Sequence, residues 1–541
     1  MRRTISGYLP SRRIGRIFST VSNGTERPPS VAGVSLKEPL RTTKVYTASN
    51  QFVEDKKTRI TTLSNGLRIA SQNTFGSQCA MGVIVNAGPR FEVNRISGIS
   101  HYIEKLGFHV RSPLLIYRFS LRKISRIETR CNRKWSVATR SSTVKFLGKT
   151  TDFTIYAVSG FNTKMDRLIQ LLAETVLRAN ITNEEVEMAK RSIQFELQAL
   201  ERSPPVEPIL TELVHAAAFR ANSTLGLPRY CPEENLGMIN RDHIINFMAT
   251  YYRPERMVIA GVGVDHDAFV KSVEKAFNPC KPNVCSEPAA LNVPKPDTSV
   301  AQYTGGYLKV ERDLERYHAP MPEFAHAVIG MESCGYQDPH FVTACLLHSL
   351  LGGGGSFSAG GPGKGMYSRL YLHVLNQFHW VNSAQAENHA YSDTGLFTVS
   401  GSSEPKHLAA LVYTLLDELR NTATSTLSSQ EISRAKAQLK SMLLMNLETR
   451  AVMFEDIARQ VLNTGVRHQP EYWAEKIDNV TLEDLHGMLH RMFHSPLTLV
   501  GFGQVAHLPT PEEVADSLTR SSSGFSARLM DRLPNPFRRF V

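Results

Sequence analysis

The chain has 541 residues, which is enough for two or more domains with their own hydrophobic cores. Its 42% hydrophobic and 21% charged residues are ordinary globular usage, and no apolar run reaches the roughly 18 residues of a membrane span. The formal net charge of +12 is concentrated in residues 1–25 (+5) and 110–149 (+10), which leaves about −3 for the rest of the chain. This distribution argues against a nucleic-acid-binding role, because the body carries no basic excess.

The first 25 residues contain five arginines and several Ser and Thr residues, without Asp or Glu. This composition is typical of a mitochondrial transit peptide, and it predicts the mitochondrial matrix as the destination. Arg16-Ile17-Phe18-Ser19 resembles the pattern at presequence cleavage sites and predicts cleavage near Phe18. Residues 1–50 are therefore interpreted as a transit peptide with a lead-in, and any membrane association is expected to be peripheral. The seven scattered cysteines form no CxxC pair, which indicates reduced thiols.

An internal repeat divides the remaining chain into two similar α/β halves. Ala189-Lys190 and Ala435-Lys436 lie in similar helical patterns 246 residues apart, and two short apolar strands ending in glycine, 258–263 and 499–503, repeat at about 240. Helical and strand periodicities alternate in both halves. We therefore predict two lobes that face a shared cavity suited to an extended peptide.

A helix after the first buried strand carries an incomplete zinc motif. The H-x-x-E-H motif places two histidines on one helix face, with a glutamate that activates the metal-bound water. His101 and Glu104 are present here, but the second histidine position holds Lys105. An ammonium group has no lone pair for Zn²⁺, so the sequence predicts no metal at this site. A chance His-x-x-Glu pattern on a solvated helix is the alternative on the motif alone.

These residues resemble the M16 family of metallopeptidases. The resemblance implies an α/β (α+β) fold of two homologous lobes, each a mainly antiparallel sheet packed with helices, that enclose a peptide cavity. It also implies that Glu196 matches the third zinc ligand and that Ala189 stands where active members have a second acidic residue. His101, Glu104, Lys105 and Glu196 are then remnants of a protease site, and this chain has no catalytic residues of its own.

The second half contains a long glycine-rich segment after an apolar helical pattern. It fails the phosphate-loop motif, because Gly363-Lys364 is followed by Gly365, so the residues alone leave a flexible linker and a peptide-binding loop as alternatives. The candidate substrate-binding residues are Gly352, Gly353, Gly354, Gly355, Ser356, Phe357, Ser358, Ala359, Gly360, Gly361, Pro362, Gly363, Lys364 and Gly365.

The segment closely resembles the glycine-rich loop of the alpha subunits of mitochondrial processing peptidases, which belong to the same family. The resemblance implies a non-catalytic subunit that binds precursor presequences. It implies a heterodimer with a catalytic beta subunit, with the zinc cofactor in that partner and none in this chain. Two alternatives are a structural core subunit of the cytochrome bc1 complex, which shares the fold, and an active M16 zinc metallopeptidase.

The predicted domains are an N-terminal lobe at 51–278, a linker at 279–300, a C-terminal lobe at 301–510 and a tail at 511–541. The resemblance fails in residues 109–149, a basic stretch with weak periodicity. This stretch is interpreted either as a true divergence or as an error in the gene structure. As a true divergence, it would leave the first sheet one strand short.

Overall fold

The structure, a computed structural model, describes residues 57–107, 144–277, 295–312, 324–355 and 366–519, apart from positions 94, 180, 203, 221, 222 and 426. The predictions for residues 1–50, 109–143, 279–294, 356–365 and 520–541 lie outside the described residues. No helix in the described ranges is both long enough and apolar enough to cross a membrane.

The first half forms a six-stranded sheet in the order β1-β2-β6-β3-β5-β4. Strands β2 and β6 pair in parallel, and the other neighbouring strands are antiparallel. Strands β3 and β6 are the most buried, which matches their nearly continuous apolar sequences. The strands are β1 (Arg59–Thr62), β2 (Arg68–Gln72), β3 (Gln78–Val85), β4 (Val144–Lys149), β5 (Thr154–Phe161) and β6 (Met257–Val262).

The second half forms another six-stranded sheet, in the order β7-β12-β8-β11-β10-β9. Strands β7 and β12 form its one parallel pair, and the other pairs are antiparallel. The strands are β7 (Gly306–Glu311), β8 (Ala325–Ser333), β9 (Gly353–Gly355), β10 (Val381–Ala390), β11 (Gly395–Ser403) and β12 (Thr498–Gly503).

Five strands of each sheet have the same order and the same directions, so the predicted repeat is confirmed. The series β2-β6-β3-β5-β4 of the first sheet corresponds to β7-β12-β8-β11-β10 of the second. Strand β4 lies inside the basic segment and matches β10, so the expectation that the first sheet would be one strand short is wrong. The mixed, mainly antiparallel sheets agree with the predicted fold class.

Thirteen α-helices and one π-helix in the described ranges pack around the sheets. Their buried faces follow the apolar spacing of the sequence, as in α2, where Leu168, Ile169, Leu172 and Val176 are buried. The first half contains α1 (Ile99–Leu106), α2 (Met165–Leu177), α3 (Asn183–Arg202), α4 (Val206–Ala218), α5 (Arg241–Tyr251) and α6 (His266–Ala276). The second contains α7 (Phe341–Leu351), α8 (Leu408–Thr424), α9 (Ser429–Leu447), α10 (Arg450–Thr464), α11 (Pro470–Asn479), α12 (Leu482–His494), α13 (Pro511–Thr519) and a π-helix (Leu370–Leu375).

The two halves exchange one helix each. Helix α10 of the second half packs on the first sheet, where Phe454, Ile457 and Val461 share a core with residues of β2, β3 and β6. Helix α4 of the first half packs on the second sheet through Leu210 and Val214, against residues of β8, β11 and β12. The halves are therefore interlocked, because one face of each sheet packs against a helix of the other half.

A buried ion-pair network also joins the halves. The guanidinium of Arg90 lies 2.7 Å from carboxylate oxygens of both Asp152 and Asp393, and Asp393 belongs to the second half. The backbone N–H of Ser392 donates to Asp152 at 3.2 Å. Removing one partner would leave a buried charge uncompensated, so this network favours one fixed arrangement of these segments.

The folded part of the second half extends past the predicted boundary at residue 510. Helix α13 follows β12 as α6 follows β6, and its Val514 is fully buried in the core of the second half. The start of the predicted tail is therefore the last helix of the repeat.

Candidate functional site

Helix α1, which carries the motif, begins at a sharp turn held by a buried carboxylate. Gly98 has a φ of +112°, and a Cβ at this position would lie 2.4 Å from the sulfur of Cys231, so only glycine fits. The Glu92 carboxylate accepts hydrogen bonds from the backbone N–H groups of Gly98 and Ser100, both at 2.6 Å. It thus stabilises the positive end of the helix. Sequence reasoning missed Glu92, because it lies seven residues before the helix.

His101 is almost completely buried, and both of its ring nitrogens have partners. The backbone N–H of Cys231 donates to Nδ1 at 3.2 Å, so Nδ1 is the nitrogen with the lone pair. The neutral ring therefore carries its proton on Nε2, which donates to the Glu196 carboxylate at 3.0 Å. The remnants His101 and Glu196 are thus brought together as a hydrogen-bonded pair.

Lys105 completes this cluster from the next turn of α1. Its Nζ lies 2.5 Å from the same Glu196 oxygen that His101 contacts. The hydrogen bond from His101, assisted by Lys105, lowers the pKa of Glu196 from 4.5 to about 2, although burial opposes the shift. The Lys105 ammonium group therefore compensates the negative charge of the Glu196 carboxylate.

Zinc does not fit this site. The Lys105 ammonium binds the carboxylate that would be the third ligand, and the Nε2 of His101 carries a proton instead of a lone pair. Ala189, which stands where active members of the family have a second acidic residue, is buried and offers no ligand atom. No group of three His, Cys, Asp or Glu residues in the described ranges could hold a metal ion.

The surroundings of this cluster are acidic and aromatic. The ring of Tyr230 lies edge-on to His101, with centroids 5.8 Å apart. Burial raises the pKa of Tyr230; the positive charge of Arg229 opposes the rise, and the carboxylates of Glu212, Glu196 and Glu104 add to it. Glu104, the glutamate of the motif, is half-buried.

The glycine-rich segment begins as an edge strand of the second sheet. Gly352, Gly353 and Gly354 have φ values of +55°, +101° and +156°, a backbone path that other residues rarely adopt. A Cβ at Gly353 would lie 2.0 Å from the Ala384 oxygen, so the close approach to β10 requires glycine. At Gly354 and Gly355 no described atom lies within 4 Å of a Cβ position.

The far end of the segment is anchored to its start. The backbone N–H of Gly353 donates to the Ser368 hydroxyl at 3.1 Å. The neighbouring Arg369 is buried and pairs with Glu418 at 2.6 Å and Glu431 at 3.0 Å. Residues 356–365, which include most of the predicted binding residues, lie outside the described ranges. Sequence reasoning did not predict the contacts of Ser368 and Arg369, although both residues lie within four positions of the end of the segment.

The two candidate sites lie on different halves of the chain. His101, Lys105 and Glu196 meet between α1 and α3, whereas the described glycines border β10. No contact between the two sites is found among the described residues. The fold and these sites together define a protein of two similar α/β halves, the first of which carries an incomplete zinc motif.

Comparisons with known proteins agree with this class. The family model described as Insulinase (Peptidase family M16) matches residues 68–112 and 148–233, and the one described as Peptidase M16 inactive domain matches 238–439. The first match skips residues 113–147, which lie in the basic segment.

Curated relatives extend the similarity over most of the chain. A human protein named mitochondrial-processing peptidase subunit alpha is 40% identical over 490 residues, which cover 90% of this chain and 88% of the relative. Proteins of the same name from Caenorhabditis elegans (37%, covering 84% and 86%) and potato (31%, covering 94% and 94%) also match. The chain belongs to the M16 peptidase family, among the subunits that carry this name.

A solved structure shows the same fold. One chain of a structure titled "Complex III2 from Candida albicans, Inz-5 bound" matches with a TM-score of 0.66 and 20% identity. The match covers 85% of this chain and 99% of that chain. At this identity the likeness establishes the fold alone.

Proposed function

We propose that the chain is the non-catalytic, precursor-binding alpha subunit of a mitochondrial processing peptidase that removes presequences from imported proteins. Its partner is a catalytic beta subunit, which holds the zinc ion and cleaves the peptide bond. The heterodimer acts in the mitochondrial matrix. The names of the curated relatives support this assignment, as does the Arg-rich first segment of the sequence.

The observation that carries the proposal is the pairing of Lys105 with Glu196. A catalytic zinc site needs three protein ligands and a water molecule, and here a lysine ammonium and a protonated imidazole nitrogen occupy the ligand positions. The fold of a peptidase is kept without its metal chemistry. Such a chain contributes to processing by binding substrate and partner.

The geometry of β9 supports a role for the glycine segment in holding an extended peptide. Strand β9 is the last strand of its sheet, and in an antiparallel pair alternate residues direct their N–H and C=O groups away from the neighbouring strand. Gly352 accepts from the N–H of Ala386, so Gly353 and Gly355 direct their polar groups outward, but the N–H of Gly353 already donates to the Ser368 hydroxyl. An extended peptide can pair with the edge at Gly355 at no steric cost, because glycine carries no side chain.

The carboxylates near α1 support binding of basic peptides. Glu104 and Glu212 lie close enough to raise the pKa of the Tyr230 hydroxyl, which the charge of Arg229 lowers, whereas Glu196 is paired with Lys105. Presequences are rich in arginine, so an acidic wall raises both their rate of association and their selectivity.

Reconstitution with a beta subunit tests the proposal. The chain alone, supplied with zinc, is expected to leave a presequence peptide intact, and the heterodimer is expected to cleave it. Deleting residues 353–363 should weaken peptide binding and cleavage while the two subunits still co-purify. Cleavage by the isolated chain would support the active-peptidase alternative, and undiminished processing by the deletion variant would contradict a role for the glycine segment.

A pull-down from matrix extract tests the remaining alternative. The proposal expects a soluble zinc-containing partner of the same fold. Co-purification with a respiratory membrane complex would favour the structural core subunit instead. Of the two readings, the curated relatives favour the first, because the Candida albicans match supports only the fold.

A further inference from the structure

Strand β9 is too short and too flexible to hold its own position. Its three residues, Gly353–Gly355, pair with β10 alone in the described part of the chain. Glycine loses more conformational freedom on folding than any other residue, and it is depleted in strands. A further contact is therefore needed to keep this edge extended and ready for a peptide.

Ser368 supplies that contact from the other end of the glycine segment. Its hydroxyl accepts from the N–H of Gly353 at 3.1 Å, and the residue is only 6% exposed. A Cβ at Gly352 would lie 2.5 Å from the Cβ of Ser368, so the start of the segment lies directly against this side chain. Since the Gly353 N–H is directed away from β10, the hydroxyl takes the place that a carbonyl of an added strand would otherwise take.

Arg369 fixes the position of Ser368. Its buried guanidinium bridges two helices, because Nε donates to Glu418 of α8 at 2.6 Å and Nη1 donates to Glu431 of α9 at 3.0 Å. The Glu418 carboxylate also lies 3.1 Å from Nδ1 of His373 in the π-helix. A buried guanidinium held by two carboxylates has one favourable geometry, so the backbone beside it has little freedom.

The helix that follows Arg369 lies at the same edge of the sheet. The π-helix Leu370–Leu375 packs against β9, β10 and α8, and four of its six residues are buried. Helices of this type are rare in proteins and occur frequently at functional sites. The π-helix therefore gives Ser368 a rigid base beside the glycine segment.

We propose that Ser368, held by Arg369, positions strand β9 for the substrate peptide and sets the point at which the peptide begins to pair. The Gly353 N–H is occupied, so the open edge begins at Gly355. Ser368 and Arg369 are positioning residues, since they act through β9. The inference rests on the proposed function and specifies how the chain presents its binding edge.

Amide hydrogen exchange of the wild-type heterodimer, resolved for single residues, tests the pairing point. Without peptide, the N–H of Gly353 should exchange slowly and that of Gly355 rapidly. A basic presequence peptide is expected to slow exchange at Gly355 by at least about 10-fold and to leave Gly353 unchanged. Rapid exchange at Gly353 that slows only with peptide would overturn the inference, as would a peptide that is cleaved without slowing Gly355.

The substitution S368A tests the contact itself. It is expected to raise the KM of the heterodimer for the peptide about 5-fold, which corresponds to one lost hydrogen bond, and to leave kcat unchanged because the partner cleaves the bond. S517A is the matched control, since Ser517 is about as buried and its hydroxyl donates within its own helix. A lower kcat or a lower yield of heterodimer at unchanged KM would make Ser368 a purely structural residue.

A second substitution tests whether Arg369 acts through Ser368. R369K keeps the positive charge, but one ammonium group cannot bridge two carboxylates as the guanidinium does. It should raise KM about 2- to 5-fold, and the double variant S368A/R369K should have the KM of S368A alone. Effects that multiply in the double variant would show that the two residues act independently and would overturn the inference.

These measurements separate the inference from the proposed function. If S368A binds and cleaves the peptide as the wild type does, Ser368 has no part in positioning and the proposed function stands. If the wild-type heterodimer binds no presequence peptide at all, both the inference and the proposed function fail.

Discussion

Two features at Lys105 and His101 act against metal binding, and only the first can be read from the motif. Lys105 brings a fixed positive charge to the ligand position and contacts Glu196 directly. The N–H of Cys231 points at Nδ1 of His101 and keeps the proton on Nε2. A histidine that ligates zinc through Nε2 must carry its proton on Nδ1, where it would face the N–H of Cys231.

Restoring the motif is therefore expected to restore zinc binding only weakly. K105H recreates H-x-x-E-H beside Glu196, yet the opposed N–H of Cys231 remains. Because groups that orient a ligand change metal affinity by roughly 10–100-fold, K105H should bind zinc about that much more weakly than an intact site. Zinc content after dialysis, measured by mass spectrometry with K105A as the control without a ligand, checks this. Tight, stoichiometric zinc in K105H would show that Lys105 alone blocks the metal.

The lowered pKa of Glu196 predicts a pH-dependent contribution to stability. The pKa in the folded chain, about 2, lies below the ordinary 4.5, so the carboxylate stabilises the fold above pH 4.5 and this contribution is lost as the pH falls towards 2. Because Glu196 is one-third exposed, the contribution is about 1 kcal/mol. Wild type and E196Q should differ by this amount in unfolding free energy near pH 7 and converge as the pH falls to about 2. A constant difference across this range would mean that the charge of Glu196 is not responsible.

At the residue scale the sequence predicted that Lys105 cannot ligate a metal ion. It did not predict the contacts that orient the neighbouring side chains. The lack of a lone pair on Lys105 is a property of the residue type. The tautomer of His101 depends on a backbone group 130 positions further along the chain, and no local pattern encodes such a contact. The role of Glu92 was not predicted for a similar reason, since this residue lies in the turn before α1 and caps that helix from there.

At the scale of the elements, strand β9 contains both a position that requires glycine and a position that does not. Gly353 has a positive φ and no space for a Cβ, whereas Gly355 has neither restriction within the described residues. G353A should therefore detach β9 from β10 and weaken presequence binding about 10-fold, since the backbone pairing that positions the glycine segment is lost. Peptide binding by fluorescence anisotropy measures the effect.

G355A is the matched control for this prediction. It adds the same methyl group two residues further along the strand, where no described atom interferes. Peptide binding close to that of the wild type is expected. Equal losses in G353A and G355A would show that the added methyl group, and not the pairing of β9 with β10, determines affinity.

The periodicity of the sequence located most elements but not their partners. The apolar spacing in α2 and the two glycine-ended strands predicted the observed helix and β6 and β12. The strand β4 was missed, because basic residues surround it and its apolar pattern is only six residues long. The pattern in α10 predicts a buried face, yet nothing in it indicates that this face packs on the other half.

On the scale of the whole molecule, the exchanged helices couple the stability of the two halves. Phe454 of α10 is buried on the first sheet, and a Cβ at Gly82 would lie only 2.6 Å from its ring. F454A should cost about 3–5 kcal/mol and should destabilise the first sheet as much as the second half that supplies the helix. Chemical denaturation gives the free energy, and hydrogen–deuterium exchange of β3 and β8 shows which sheet opens.

V452A, at an exposed position of the same helix, provides the comparison. It is expected to change the unfolding free energy by less than about 0.5 kcal/mol. If F454A speeds exchange in β8 but leaves β3 protected, the halves are energetically independent, and the interlocked packing contributes little to the first sheet.

The exchange of helices also restricts the order in which the chain can fold. A polypeptide is synthesised from its N-terminus, and the first sheet is complete in sequence by Val262, about 190 residues before α10 begins. Until α10 arrives, the apolar face formed by residues such as Ile84 and Val258 has no cover, and α4 has no sheet to rest on. A partly synthesised chain therefore exposes this apolar face, and the first half cannot complete its packing before α10 of the second half is present.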